Sequence, residues 1–149
     1  MTESTFWAGI RPKLLPYGDL ERIENRVNIG TPDVNYCLLR VEGWIELKYK
    51  DEWPVREATP FRLPHFTIEQ LLWQERRHRA GGRVCLLAQV GIDYMILPPW
   101  HLRTVFDGAT REVYMTLAVV VGSRVFPTRD VVRWLTGRSH AKPSANRLG

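Results

Sequence analysis

The sequence predicts a single mixed α/β domain. Three observations carry that reading. The chain has 149 residues, a length that suits one compact domain and is short for two. Apolar residues make up 44% and include six Trp, and a chain of this size buries roughly two thirds of its unfolded surface. Segments with helical spacing alternate with apolar, strand-like runs, in the order helix, two strands, helix, strands, helix, without an internal repeat or a linker.

Phe6 to Leu15 carries Phe6, Trp7, Ile10, Leu14 and Leu15 on one helical face, with Pro12 inside it. Pro16-Tyr17-Gly18-Asp19 reads as a turn. Leu20 to Val27 is open between a short helix capped by Asp19 and an extended segment. Asn28 to Pro32 is a loop. Val34 to Val41 is a strand, Glu42-Gly43 a tight turn, and Trp44 to Lys50 the returning strand. Its alternation puts Trp44, Glu46, Lys48 and Lys50 on one side, and Ile45, Leu47 and Tyr49 on the other. Asp51 to Pro64, with three Pro, is an irregular excursion. Its Trp53 and Phe61, with Phe66 beyond, either pin the loop to the core or wedge against a ligand. Thr67 opens a helix with capping-box spacing to Gln70, a core face of Ile68, Leu71 and Leu72, and a stop at Gly81-Gly82. Arg83 to Val90 is apolar enough for a central strand, Asp93 to Leu97 is a shorter one, and Pro98-Pro99 breaks it. Trp100 to Phe106 gives one or two helical turns. Glu112 to Val121 reads as a β-branched strand. Thr128 caps a last helix, Arg129 to Leu135, ended by Gly137. The domain is expected over residues 1–137. The stretch 138–149, with Arg138, Lys142 and Arg147, no acid and little to bury, is expected to be disordered or to order on a partner.

Twenty-one Lys and Arg against 16 Asp and Glu leave a net charge of +5, which favours a polyanionic partner, nucleic acid first. Cys37 and Cys85 sit in apolar runs and read as buried free thiols in a reducing compartment. The four His form no metal-binding spacing. No secretory signal and no membrane-length apolar run is visible, so a cytoplasmic protein is expected, without membrane partners.

One constellation carries chemistry. Gly30-Thr31-Pro32-Asp33 opens one strand, and Glu46-Leu47-Lys48 lies in the next. Phosphodiester hydrolysis needs a water delivered to phosphorus and two developing negative charges stabilised, work that suits Mg2+ and its hard oxygen ligands. Asp33 and Glu46 would supply such oxygens, with the Leu47 carbonyl as a further ligand, and Lys48 would orient or deprotonate the water or offset charge. The bland reading is a strand-start Asp and an exposed Glu-x-Lys ion pair. A hairpin turning at Glu42-Gly43 leaves Asp33 further from the turn than Glu46, so a bend or bulge is required to bring them together.

With Arg22-Ile23-Glu24-Asn25 upstream and Gln70 and Trp73 downstream, these motifs resemble the PD-(D/E)xK nucleases over roughly residues 20 to 90. Within that superfamily the chain is similar to phage- and archaeal-type Holliday junction resolvases and to the virus-type replication-repair nuclease domain. The resemblance implies a restriction-endonuclease-like fold, a central mixed β-sheet flanked by helices. It implies catalytic roles for Glu24, Asp33, Glu46, Lys48 and Gln70, with Mg2+, replaceable by Mn2+, held by Asp33, Glu46, Leu47 and Glu24. Glu21 rivals Glu24 as the upstream acid, and Gln70 is open between an auxiliary catalytic role and its cap. The implied activity is structure-selective cleavage of branched DNA by a homodimer, in the host cytoplasm for a phage-encoded chain. The alternatives are a monomeric nicking, flap-cutting or exonucleolytic repair nuclease acting on duplex DNA, and a non-catalytic DNA-binding module. Arg11, Lys13, Arg22, Lys50, Arg76, Arg77 and Arg79 are the expected phosphate contacts, or else a solvated basic surface.

Overall fold

The computed structural model describes residues 1–23 and 29–138. Helix α1 (Glu3–Leu14) leads through a 3-10 turn into strands β1 (Gly18–Arg22), β2 (Val34–Leu38) and β3 (Val41–Lys50). Then follow helix α2 (Ile68–Arg79), β4 (Val84–Val90), β5 (Asp93–Leu97), a second 3-10 turn (Pro99–His101), α3 (Leu102–Asp107), α4 (Arg111–Leu117), β6 (Val120–Ser123) and α5 (Thr128–Thr136). The strands make one six-stranded sheet in sequence order. Every neighbouring pair is antiparallel except β3 and β4, which run parallel because α2 crosses over between them.

The period-two pattern divides the core between the two faces of this sheet. Ile45, Leu47, Cys85, Leu87 and Ile96 pack under Phe6, Trp7, Ile10 and Leu14 of α1 and under Val131, Val132 and Leu135 of α5. Leu86, Ala88, Val90, Met95 and Leu97 pack under Leu71 of α2, Leu102 and Val105 of α3 and Tyr114 of α4. All seven residues of β4 are buried, as expected of a central strand covered on both faces. The expected central mixed sheet flanked by helices is what forms. The open segment after Asp19 is extended as far as Arg22 and pairs with β2. Among the described residues no helix is long and apolar enough to cross a membrane.

Four local expectations are corrected. Helix α1 starts three residues before Phe6, because Thr2 caps it by accepting from the Thr5 amide, and Pro12 is carried in its last turn. The β2–β3 hairpin turns at Leu39-Arg40, both left-handed (φ 48° and 69°), not at Glu42-Gly43. Two adjacent left-handed residues are what a tight two-residue hairpin requires. Gly43 is inside β3 for another reason. A Cβ there would lie 2.2 Å from the Tyr36 hydroxyl oxygen, and that hydroxyl donates to the Leu135 carbonyl at 2.8 Å, tying β2 to α5. The glycine serves packing and not a turn. Gly43→Ala should therefore destabilise the protein by about 1–3 kcal/mol through overpacking. Gly9→Ala in α1, whose added methyl meets nothing within 4 Å, should be neutral or stabilising. Urea midpoints of the two variants check this; equal midpoints would refute the packing role.

The expected strand from Glu112 to Val121 is helix α4 followed by the short β6. Thr110 caps α4 by accepting from the Val113 amide, and buried Tyr114 donates from its hydroxyl to the Phe61 carbonyl, so cap and packing override β-branched composition. On α2 the buried face is Leu71, Trp73 and Gln74, while Ile68 and Leu72 are exposed. The face is set by Gln74, whose amide donates to the Cys85 carbonyl of β4 at 2.9 Å, and by Trp73 meeting Trp44 edge-on at 5.5 Å. The excursion after β3 is pinned to the core. Trp53 donates from its indole to Asp93 at 2.8 Å and packs against Phe61 and Tyr114, and Phe66 packs on Phe106.

Candidate active site

The hairpin register supplies what the sequence alone left short. Val34 pairs with Ile45, and one more step of the same ladder sets Asp33 opposite Glu46. Residues directly opposite share a face and lie within side-chain reach, so no bulge is needed. Pro32 is buried, Asp33 is half-buried at the point where β2 begins, and its Oδ2 accepts the Leu47 amide at 2.9 Å. The loop bringing Asp33 there leans on α2: Gly30 (φ +93°) passes so close that a Cβ would lie 2.5 Å from the Glu69 carbonyl oxygen.

Glu46 and Lys48 project from the face of β3 opposite Ile45 and Leu47, and both are buried. The Lys48 ammonium is 3.2 Å from Glu46 Oε1 and donates to the His65 carbonyl at 3.0 Å. Both carboxyl oxygens of Glu46 are buried, and apart from the Lys48 ion pair no hydrogen bond from the described residues reaches them. Two influences oppose each other here. The ammonium favours the carboxylate. Burial, and then repulsion from Asp33, disfavour it and prevail, so the Glu46 carboxyl is pushed up from 4.5 to about 9. The exposed Glu-x-Lys pair of the bland reading is thus absent: this pair is inside the protein.

A residue that sequence reasoning passed over joins the group. Glu3, in the first turn of α1, has its carboxyl raised by burial and then by Asp33, with Lys48, Arg22 and His65 acting in the opposite sense. Its Oε1 is 3.9 Å from the Arg22 guanidinium. The signal was present: Glu3 is in helical phase with Phe6, Trp7, Ile10 and Leu14, so a half-buried acid extends the buried stripe of α1. The upstream acid sought at Glu24 falls outside the described residues, and its rival Glu21 is exposed on β1 opposite Asn35. Gln70 is engaged in its cap, where its carbonyl oxygen accepts the Thr67 amide at 3.0 Å.

The expected phosphate contacts scatter around the molecule. Arg22 is next to Glu3, and Lys50 is exposed at the end of β3. Arg11 is exposed on α1, with Lys13 over the Phe126 ring at 6.0 Å. Arg76, Arg77 and Arg79 are exposed at the end of α2, with Arg77 stacked on Trp73 at 4.5 Å.

Among the described residues no set of three or more Asp, Glu, His or Cys is gathered tightly enough to cage a metal ion. The acidic pair still fits one kind of cation. Glu46 offers two buried oxygens, one of them facing Lys48 and the other without a partner among the described residues, and Asp33 repels it across the ladder. Mg2+ commonly takes only one or two carboxylates and completes its shell with water and substrate phosphate.

The fold is restriction-endonuclease-like, with acids and a lysine in the PD-(D/E)xK order on two adjacent strands. A solved structure with the same architecture is that of Hjc, a Holliday junction resolvase from the archaeal hyperthermophile Archaeoglobus fulgidus. It aligns with a TM-score of 0.57 at 16% identity, over 91% of this chain and 96% of that one, a likeness of fold. No protein-family model and no curated protein matches the sequence.

Proposed function

We propose that this chain is a divalent-metal-dependent DNA endonuclease that hydrolyses phosphodiesters in branched DNA. The observation that carries the reading is the buried Glu46 carboxyl set opposite Asp33, two acids facing the single ammonium of Lys48. Burial and repulsion between two acids that share one ammonium cost stability unless a further cation relieves them, and such costs collect at functional sites. Asp33 and Glu46 would hold Mg2+ or Mn2+, with the Leu47 carbonyl as a further oxygen. Leu47 directs its main-chain amide toward Asp33, past the end of β2, and a strand residue turns its amide and carbonyl to the same side. When bound, the ion supplies charge stabilisation for the phosphorane and a more acidic water. Lys48, held by the His65 carbonyl, orients that water or offsets the developing charge. Glu3 adds negative charge near Asp33 at the rim, without completing a set of three metal-binding acids among the described residues.

The basic balance of the chain and the resolvase fold of the archaeal protein support DNA as the substrate. Symmetric cutting of a four-way junction takes two active sites, which makes a homodimer part of the proposal. The test is a cleavage panel of four-way junction, nicked, flapped and linear duplexes in magnesium, calcium and chelator. Paired symmetric nicks on the junction in magnesium alone are expected. Preference for flaps or ends would replace junction resolution with a monomeric repair nuclease. Binding without cleavage in magnesium or manganese would reduce the chain to a DNA-binding module.

A further inference from the structure

At the end of the sheet where β4 begins, a groove of ≈ 450 Å³ is lined from the C-terminal end of α2, the Pro99–His101 turn and the C-terminal half of α5. That volume is in the range of roughly 300–1,000 Å³ common to ligand sites. None of its lining residues belongs to the Asp33, Glu46 and Lys48 centre. Trp100 stands in it 55% exposed and belongs to neither core cluster. Its ring centroid is 5.4 Å from that of His78 and 6.5 Å from that of Trp134. Arg83 and Arg133 also line the groove, and no acid does. Arg83 has no acidic partner among the described residues, and Arg133 meets only Asp130, at 3.6 Å on the solvent side. Arg76 and Arg79, beside the groove, are exposed and likewise without an acidic partner among the described residues.

We propose that this groove binds an unpaired DNA strand, with a base stacked on Trp100 and the flanking phosphates held by Arg83 and Arg133. Flat aromatic faces interleaved with guanidinium groups are the combination that single strands use, because every base has a π-face and every nucleotide a charge. Other occupants fit less well. An acidic peptide would meet the arginines but bring no flat partner to Trp100. The stretch after Gly137 leaves from the groove itself, yet Arg138, Lys142 and Arg147 make it cationic against a cationic wall. A second copy docked face to face would set arginine against arginine. The proposal rests on DNA as the substrate, and not on cleavage. It gives a branched-DNA enzyme a holding site for a strand unpaired at the branch point, separate from the carboxylates.

The test uses the full chain in chelator, where no cutting occurs, and follows binding of a labelled short oligo(dT) by fluorescence anisotropy. Trp100→Ala should weaken binding by about 5- to 150-fold, and Trp100→Phe, which keeps a π-face, should retain most of it. An abasic strand of equal length should bind wild-type protein as weakly as oligo(dT) binds the alanine variant. Arg83→Ala should lower the slope of log affinity against log salt by about 0.7. Equal binding of the abasic strand to the wild type overturns the proposal and needs no variant to fold. Undiminished binding by a folded Trp100→Ala, displacement by polyglutamate as effective as by oligo(dT), or a change of sedimenting mass in Trp100→Ala would each overturn it too; the last would make the groove an interface between copies. Oligo(dT) bound through Trp100 by a chain that never cuts would remove the nuclease reading alone, and cutting by a chain whose strand binding ignores Trp100 would remove this one alone.

Discussion

Glu46→Gln and Asp33→Asn should each lower magnesium-supported cleavage by about a thousandfold or more while leaving DNA binding in calcium at or above the wild-type level. The substitutions are near-isosteric and separate chemistry from folding. Gln at position 46 resembles the protonated acid that burial already favours there, so the β3 backbone has no reason to move. Asn at position 33 keeps a carbonyl oxygen to accept the Leu47 amide. What each removes is a hard anionic ligand. Asp33→Asn also removes a negative charge from the site proposed to receive phosphate, and Glu46→Gln adds none, so affinity for DNA should hold or rise. Gel-shift and cleavage measured on the same preparations check both halves. Wild-type turnover by either variant would end the assignment of these residues as the reacting centre.

The second large effect is on stability and needs no substrate. The Glu46 carboxyl is raised from 4.5 to about 9 in the folded protein, so the folded state holds a proton that the unfolded chain releases. The sign follows from linkage. Stability from this group is fully present below about pH 4.5 and is lost as pH rises toward 9, at a rate approaching ~1.4 kcal/mol per pH unit within that window. Rearrangement of Lys48 and the open side of Asp33 will make the realised slope shallower. In chelator, Glu46→Gln should abolish this contribution, and its melting temperature should exceed that of the wild type by a margin that grows from pH 5 to 9. Magnesium added to the wild type should recover part of the loss, because a cation takes the place of the proton. Parallel pH–stability curves for the two proteins would mean that the buried acid is not strained.

How much of this was legible beforehand varies by residue. Glu46 and Lys48 were readable as a same-face pair because strand periodicity is local and strict. Their burial was not readable, since a Glu-x-Lys on a strand looks the same in the core as in solvent until α2 and the His65 loop cover it. Asp33 is recognisable by its pattern, but with the turn set at Glu42-Gly43 its meeting with Glu46 requires a bulge. That difficulty came from giving Gly43 the role glycines most often have. The Tyr36 ring, anchored on α5 far along the chain, needs the space a side chain would occupy, and the turn falls instead on Leu39 and Arg40. Glu3 was passed over because the first helix was begun at its first aromatic residue, one turn too late. Gln70 was read both as cap and as auxiliary group, and its carbonyl oxygen is in the cap.

By itself the sequence determined the alternation of helices and strands, the central place of β4, the pairing of acids and lysine on neighbouring strands, and the basic balance that favours a polyanion. These follow from short-range periodicity and composition, which each segment carries alone. Only the tertiary structure decided the hairpin register, the helix in place of a strand after Thr110, the approach of Glu3 to Asp33 and the Trp100 groove where β4 begins. Each of these is settled by which distant side chains compete for the same buried volume, and that competition exists only once the sheet and its two helical layers have come together.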